Sequence, residues 1–276
     1  MKRKVKKIAK SKTLSSPAKL NLFFRVLNKR RDGFHEIVSL YSKIDLYDEL
    51  IFSISDENIF LCNNKELELE SNLVVQARDI FLQTCDIAQS VSISLLKNIP
   101  IGAGLGGGSS NAATTLIGLN KLFDEPLTID QLMKIAAKIG SDVPFFLSSS
   151  KAAYCSGRGE IISEVELPNS YSFWLATPKE LSCNTPKVYQ FCVPGEVSNR
   201  DPMEIYLSFQ GKNPIFLNDL EPAAFRVYPK LKTIKNEIER LGFDQVVMTG
   251  SGSTFFCIGD LQNPFLPSVD FQFVSI

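Results

Sequence analysis

The residues best suited to grip an anion form one stretch, Pro100-Ile101-Gly102-Ala103-Gly104-Leu105-Gly106-Gly107-Gly108-Ser109-Ser110-Asn111-Ala112-Ala113. Glycine reaches positive φ at little cost and has no Cβ to hold a ligand away. A loop of this kind turns successive N–H groups into one concavity, which suits phosphate. Ser109, Ser110 and Asn111 are N-cap types, and the alanine-rich run after them continues as a helix whose first N–H groups and dipole favour negative charge. Three known phosphate loops fit poorly. A Walker A loop needs a lysine, and none lies between Lys97 and Lys121. The G-x-G-x-x-G spacing is met by Gly102, Gly104 and Gly107, but the acids about twenty residues on, Asp124 and Glu125, sit beside Pro126 between helical runs rather than at a strand end. The glycine loop of protein kinases belongs to a hairpin, whereas this one opens a helix.

Other candidates lie scattered along the chain. Ala18, Leu20, Leu22 and Phe24 alternate with Lys19, Asn21, Phe23 and Arg25, the period of a half-buried strand. Lys19 and Asn21 thus project from one face, as chemical groups or as solvent-facing positions of an edge strand. Asp32-Gly33 marks a turn, and Phe34 and the chain's one histidine, His35, follow it. An aromatic face beside a hydrogen-bonding ring suits a nucleobase, although a lone histidine is more often structural. Asp142, between a helix end and the run Val143-Pro144-Phe145-Phe146, is either a cleft acid or a turn former before proline.

Taken in order, Ser16-Pro17-Ala18-Lys19-Leu20-Asn21-Leu22-Phe23, Asp32-Gly33-Phe34-His35-Glu36 and the glycine stretch resemble the GHMP small-molecule kinases, and the match runs from about residue 15 to 259. The resemblance implies an α+β, two-lobed fold with mixed and antiparallel sheets, helices packed on them and an ATP site in the cleft between lobes. It implies ATP with Mg²⁺, the metal ligands being unknown, and a cytidine-diphosphate alcohol as acceptor. Lys19 and Asp142 match catalytic positions of the family. Asn21, Phe34, His35, Thr185 and Tyr189 match acceptor-binding positions, with Phe34 and Tyr189 stacking the base and His35 reading its edge. Asn72 and Lys97 match positions near adenine; as bare residues they read equally as a helix cap and a surface lysine. The resemblance also implies that residues 100–110 hold the triphosphate. The family usually has tyrosine where Phe34 stands, so a hydroxyl is lost and the stacking kept. The rivals are another GHMP kinase, acting on mevalonate, homoserine or a sugar, and a non-catalytic nucleotide sensor.

The 276 residues are 44% apolar with 30 basic and 30 acidic side chains, an ordinary globular composition. Seven of the basic residues fall in residues 1–12, leaving 23 against 30 acids and a net of −7 for the remainder. A mildly acidic body does not suggest a dedicated nucleic-acid binder, and the basic leader reads as solvated and disordered, with a nucleic-acid or membrane-surface arm as the minor reading. No apolar segment has the form of a secretory signal or the length of a membrane span. None of the six cysteines forms a CxxC pair, and one histidine gives no zinc spacing and no Ser-His-Asp scheme. Together these predict reduced thiols and a cytoplasmic location, with no membrane or nucleic-acid partner; the resemblance adds a small-molecule acceptor, and the expected state is a monomer or weak homodimer.

The elements that must position these groups are a leader over 1–14, an N-terminal lobe over 15–165 and a C-terminal lobe over 166–276. Strands are expected over Ser42–Leu46 and Glu49–Ser55 around a turn at Asp48, then a helix from Asn72 and a strand Val91–Leu96 leading to the glycine loop. Thr128-Ile129-Asp130-Gln131 is a capping box, with Gly140 as the helix stop. A strand Tyr171–Ala176 opens the second lobe. Residues 193–214 read as loop, and a helix from Pro229 to Leu241 leads to strands Gln245–Met248 and Phe255–Ile258 around a second Gly/Ser loop, Thr249-Gly250-Ser251-Gly252-Ser253-Thr254. The tail after Asp260 is short for the family, and its prolines disfavour a closing helix.

Overall fold

The computed structural model describes residues 11–276. The chain forms two compact units. One comprises residues 11–16 with Tyr47–Asn98 and Gly108–Leu147; the other comprises Pro17–Leu46, Ile99–Gly107 and Ser148–Ile276. Two long strands, β1 (Ser11–Lys29) and β2 (His35–Ser55), contribute residues to both. Of the basic leader, residues 1–10 lie outside the described residues, and 11–14 already belong to β1.

In the first unit, β3 (Ile59–Cys62) pairs parallel with β4 (Ser90–Leu96), and β4 pairs antiparallel with the far half of β2 from Glu49↔Leu96 to Ser55↔Ser90. The turn expected at Asp48 does not form. β2 is one uninterrupted strand, and its inward positions run Ile44, Leu46, Asp48, Leu50, Phe52. Asp48 occupies a slot that the alternation assigns to an apolar residue, and its partners in space rather than its local turn preference decide its conformation. Helices α1 (Leu73–Thr84), α2 (Gly107–Leu122), α3 (Ile129–Ile139) and α4 (Val143–Leu147) complete the unit. The capping box at Thr128 and Gln131 forms with both reciprocal bonds, and Gly140 caps the end of α3.

Gly118 of α2 lies against the Phe52 ring, where an added Cβ would come within 2.6 Å of Cζ. Gly118→Ala should therefore destabilise the protein by roughly 1–3 kcal/mol through overpacking, although alanine is the better helix former. A denaturation midpoint at or above that of the wild type would show that the ring can retreat.

In the second unit, β5 (Ala152–Ser156) pairs antiparallel with the near half of β2 and with β6 (Ile161–Val165). A separate antiparallel sheet has the order β11-β7-β10-β9, formed by β7 (Ser172–Pro178), β9 (Gln245–Met248), β10 (Phe255–Ile258) and β11 (Val269–Ser275). The tail after Asp260 thus closes as a strand along β7, from Val269↔Pro178 to Ser275↔Ser172. Helices α5 (Thr185–Gln190), α6 (Pro202–Ser208), α7 (Glu221–Val227) and α8 (Pro229–Glu239) cover the second unit. α6 lies within the stretch read as loop. Its signal was present in Asp201-Pro202, an N-cap acid before a proline in the first turn.

β1 runs between β2 and the short strand β8 (Leu217–Asn218), to which it pairs in parallel at Phe23↔Leu217. Apolar side chains cover both its faces. Leu20, Leu22 and Phe23 pack with Leu40, Phe173, Phe209 and Phe256, while Phe24 and Val26 pack with Leu231, Ile234, Met248 and Phe255. Every residue from Ala18 to Val26 is buried, so β1 is not an edge strand and Lys19 and Asn21 do not face solvent. Alternation alone missed this because it records one covered face and is blind to a second. The buried Arg25 bonds Asp219 Oδ2 at 2.8 Å and donates to the Ser198 carbonyl at 2.6 Å and to that of Arg200. It ties the approach to α6 onto β1. All six cysteines are free thiols.

Candidate active site

Within the second unit the glycine loop is held by its carbonyls. Gly102 O accepts from Cys183 N at 3.1 Å, Ala103 O from Thr254 N at 3.2 Å, and Leu105 O from Lys19 N at 3.0 Å. In a trans peptide the C=O of one residue and the N–H of the next point in opposite directions. Tying these three carbonyls inward therefore directs the N–H groups of Ala103, Gly104 and Gly106 away from the groups that hold the loop. Gly102, Gly104 and Gly106 have φ of +63°, +77° and +68°, with ordinary residues between them. That alternation of hand curls successive N–H groups into an anion-binding nest. The side chains of Ala103 and Leu105 are buried and anchor the loop, whereas Ile101 is exposed.

The second Gly/Ser loop supports the first. A Cβ on Gly104 would collide with the Thr249 carbonyl and lie 3.1 Å from that of Gly252; one on Gly250 would lie 3.0 Å from the Gly104 carbonyl. Two backbones approach here with no room for a side chain. Asn218 of β8 fixes the second loop by donating to the carbonyls of Met248 and Gly250 at 2.6 and 2.7 Å. A cavity of about 360 Å³ adjoins Pro100, Ile101 and Ala103 and is also lined by Ser182, Ser253 and the ends of β7 and β11.

Lys19 and Asn21 meet beside these loops. Lys19 Nζ lies 2.5 Å from Asn21 Oδ1 and 4.5 Å above the centroid of the Tyr41 ring, an aromatic face that favours a cation. Asn21 Nδ2 donates to Ser39 Oγ at 3.0 Å, and the Asn21 N–H donates to Thr249 Oγ1 at 3.1 Å. The amide is thereby fixed with its oxygen toward the ammonium. Tyr41, Ser39 and Thr249 were not among the expected site residues. Only Thr249 carried a signal, its place at the head of the second loop.

A third group gathers near the β1–β2 turn. His35 packs on Tyr189 with centroids 5.2 Å apart and planes at 35°. Burial, with help from Lys29, holds the imidazole below its ordinary pKa, so the ring is neutral near pH 7. Phe34 is 52% exposed, with the Arg158 guanidinium 4.8 Å from its centroid. One face of Phe34 thus has a cation as neighbour, while Tyr189 has His35. Thr185 starts α5 and bonds Ser251 Oγ at 2.7 Å; the cap of that helix is Asn184.

The first unit holds the remaining residues. Asn72 is the N-cap of α1, accepting from Val74 N at 2.9 Å and donating to Leu67 O at 2.9 Å. Lys97 is not a surface lysine. Its Nζ lies 2.7 Å from Asp48 Oδ2, and its N–H and C=O both pair with the side-chain amide of Asn63. Burial draws its ammonium below the usual lysine range, opposed by the Asp48 carboxylate. Gly107 begins α2; in its first turn Gly108 is exposed, Ser109 half-buried and Ser110 buried, with Ser110 Oγ 2.7 Å from Ser16 Oγ. Asp142 is half-buried and directly precedes α4, whose first N–H, that of Val143, bonds Gly140 O at 3.2 Å. Among the described residues no group of three His, Cys, Asp or Glu side chains is placed to hold a metal ion.

The sequence matches the GHMP kinases N terminal domain over residues 72–150 and the GHMP kinases C terminal domain over residues 203–264. It is 44% identical to 4-diphosphocytidyl-2-C-methyl-D-erythritol kinase of Protochlamydia amoebophila, across 91% of this chain and 85% of that protein. The chloroplastic enzyme of that name from Mentha piperita is 40% identical across 91% of this chain, which spans 65% of the plant protein. A crystal structure of 4-(cytidine 5'-diphospho)-2C-methyl-D-erythritol kinase superposes with a TM-score of 0.77 at 34% identity, covering 90% of each chain. A nest with its carbonyls turned inward, a second glycine loop packed behind it and likeness at this level over nine-tenths of the sequence lead to one assignment: the chain belongs to the 4-diphosphocytidyl-2-C-methyl-D-erythritol kinase family of GHMP kinases.

Proposed function

We propose that this protein transfers the γ-phosphoryl of ATP to a hydroxyl of 4-(cytidine 5'-diphospho)-2-C-methyl-D-erythritol, a step of non-mevalonate isoprenoid precursor synthesis. The observation that carries the reading is the nest at Gly102, Gly104 and Gly106, its carbonyls tied inward and its back set so close to the second loop that no Cβ fits at Gly104. Phosphoryl transfer depends on alignment and neutralisation of charge more than on covalent chemistry. In this reading residues 100–110 hold the triphosphate through main-chain N–H groups, and Asn72 and Lys97 border the adenine. Asp142 orients the attacking hydroxyl and accepts its proton. Lys19 offsets negative charge on the moving phosphoryl, held to that task by Asn21 and the Tyr41 face. Asn21 also helps to place the hydroxyl. Mg²⁺ would accompany ATP and offset part of its negative charge; no residue of the chain is assigned to it.

Phe34, His35, Thr185 and Tyr189 select the cytidine end. A neutral imidazole presents one donor and one acceptor, which suits the polar edge of a base. His35→Ala should raise KM for the cytidine substrate about ten- to a hundredfold, the cost of one lost hydrogen bond to a buried partner, and leave a base-free alcohol unaffected. Equal losses on both would remove His35 from base recognition. The experiment that tests the whole reading is ATP-dependent phosphorylation across a panel of the cytidine substrate, mevalonate, homoserine and a sugar. Turnover of the cytidine substrate alone is expected; preference for another alcohol, or no ADP formation with any, would overturn it. No described helix is long and apolar enough to cross a membrane. We read the protein as a cytoplasmic monomer or weak homodimer acting on small molecules, without nucleic-acid or membrane partners.

A further inference from the structure

Asp48 stands in a core position of β2, between Leu46 and Leu50, with its side chain wholly buried. A carboxylate in such a place is tolerated only when paired and hydrogen-bonded. Both its oxygens are engaged. Oδ1 accepts the Asn98 N–H at 2.7 Å, and Oδ2 accepts Lys97 Nζ at 2.7 Å and Asn111 Nδ2 at 2.8 Å. Asn111 Nδ2 also donates to Ser16 Oγ at 3.0 Å, and Ser16 Oγ bonds Ser110 Oγ at 2.7 Å. One buried acid therefore joins the chain leaving β4 to the first turn of α2, with Ser16 of β1 closing the chain of bonds. Every member belongs to the same compact unit.

We propose that Asp48 is a positioning residue for the phosphate donor. Resting on the kinase reading above, the inference is that Asp48 sets the first turn of α2, whose unpaired N–H groups and dipole favour the triphosphate. It does so through Asn111, while Lys97 neutralises it. The charge of Lys97 is thus committed to Asp48, and Lys97 serves the nucleotide through the place it fixes. The hydroxyl of Ser110 likewise faces Ser16, which leaves Ser109 as the hydroxyl of this pair nearer solvent.

The test compares wild type, Asp48→Asn, Asn111→Ala and the double variant by calorimetric ATP binding, by KM for each substrate and by thermal midpoint. Each single substitution should weaken ATP binding about tenfold and leave the acceptor KM within about twofold, since a charge-assisted link is lost on the donor side alone. The double variant should be no weaker than the worse single, because both break one link. Unchanged ATP affinity in folded variants, equal losses for both substrates, or additive effects in the double variant would each overturn the proposal. Should Asp48→Asn fail to fold, Ser16→Ala removes only the hydroxyl joining Asn111 to Ser110; ATP binding must still weaken with the acceptor KM held, and unchanged binding sinks the idea. A wild type that phosphorylates no alcohol refutes the kinase reading instead, and the calorimetric comparison then still decides the role of Asp48.

Discussion

Asp142→Asn is expected to lower kcat by about 10²–10⁴-fold, the usual worth of a positioned general base, while ATP binding stays within a few-fold of wild type. The substitution keeps the shape of the side chain and removes its charge and its capacity to take a proton. Asp142 directly precedes α4, whose residues Val143–Leu147 are all buried, so its backbone is anchored by packing that the change does not touch. A loss confined to kcat is the mark of an interaction made in the transition state. Near-normal turnover would remove Asp142 from the reaction. A parallel loss of ATP affinity would make it a structural support of the nucleotide instead. Rapid-quench single-turnover measurement separates the chemical step from product release and gives the cleaner answer.

The second large effect is expected at Gly104. Alanine there must adopt φ near +77° and drive its methyl into the Thr249 carbonyl, with the Gly252 carbonyl 3.1 Å away. Backbone strain of this kind costs about 1 kcal/mol and the collision roughly 1–3 more. Relief requires the two glycine loops to part, which turns the nest away from its ligand, so ATP affinity should fall by about a hundredfold or more. Gly242→Ala provides the control, because Gly242 has φ of +101° but nothing within 4 Å of an added Cβ. It should suffer the strain alone and keep ATP affinity. If both variants bind ATP like wild type, close approach of the two loops is not what shapes the cradle.

The glycine loop was legible because its conformation depends on residues that accept positive φ, a requirement that composition displays directly. The capping box at Thr128 and the strands flanking the second glycine loop were legible for the same reason, since each is decided by neighbours a few residues apart. What could not be read depends on distant partners. Asp48 looks like a turn residue because acids favour turns locally; the residues that hold it in a core slot, Lys97, Asn98 and Asn111, lie 49 to 63 positions away. Lys19 and Asn21 looked solvent-facing because a single strand reveals one period and not how many layers cover it. Tyr41, beneath the Lys19 ammonium, is an ordinary aromatic in an ordinary strand until β1 and β2 lie side by side.

The inward-tied carbonyls of the glycine loop bear on how this protein can vary. The donors they present belong to peptide units, which every residue other than proline carries, so exchanging Ile101 for another exposed side chain deletes none of them. Inhibitors that borrow those same donors would leave the protein few single-residue routes of escape, whereas molecules leaning on an exposed side chain such as Ile101 would meet a group free to drift.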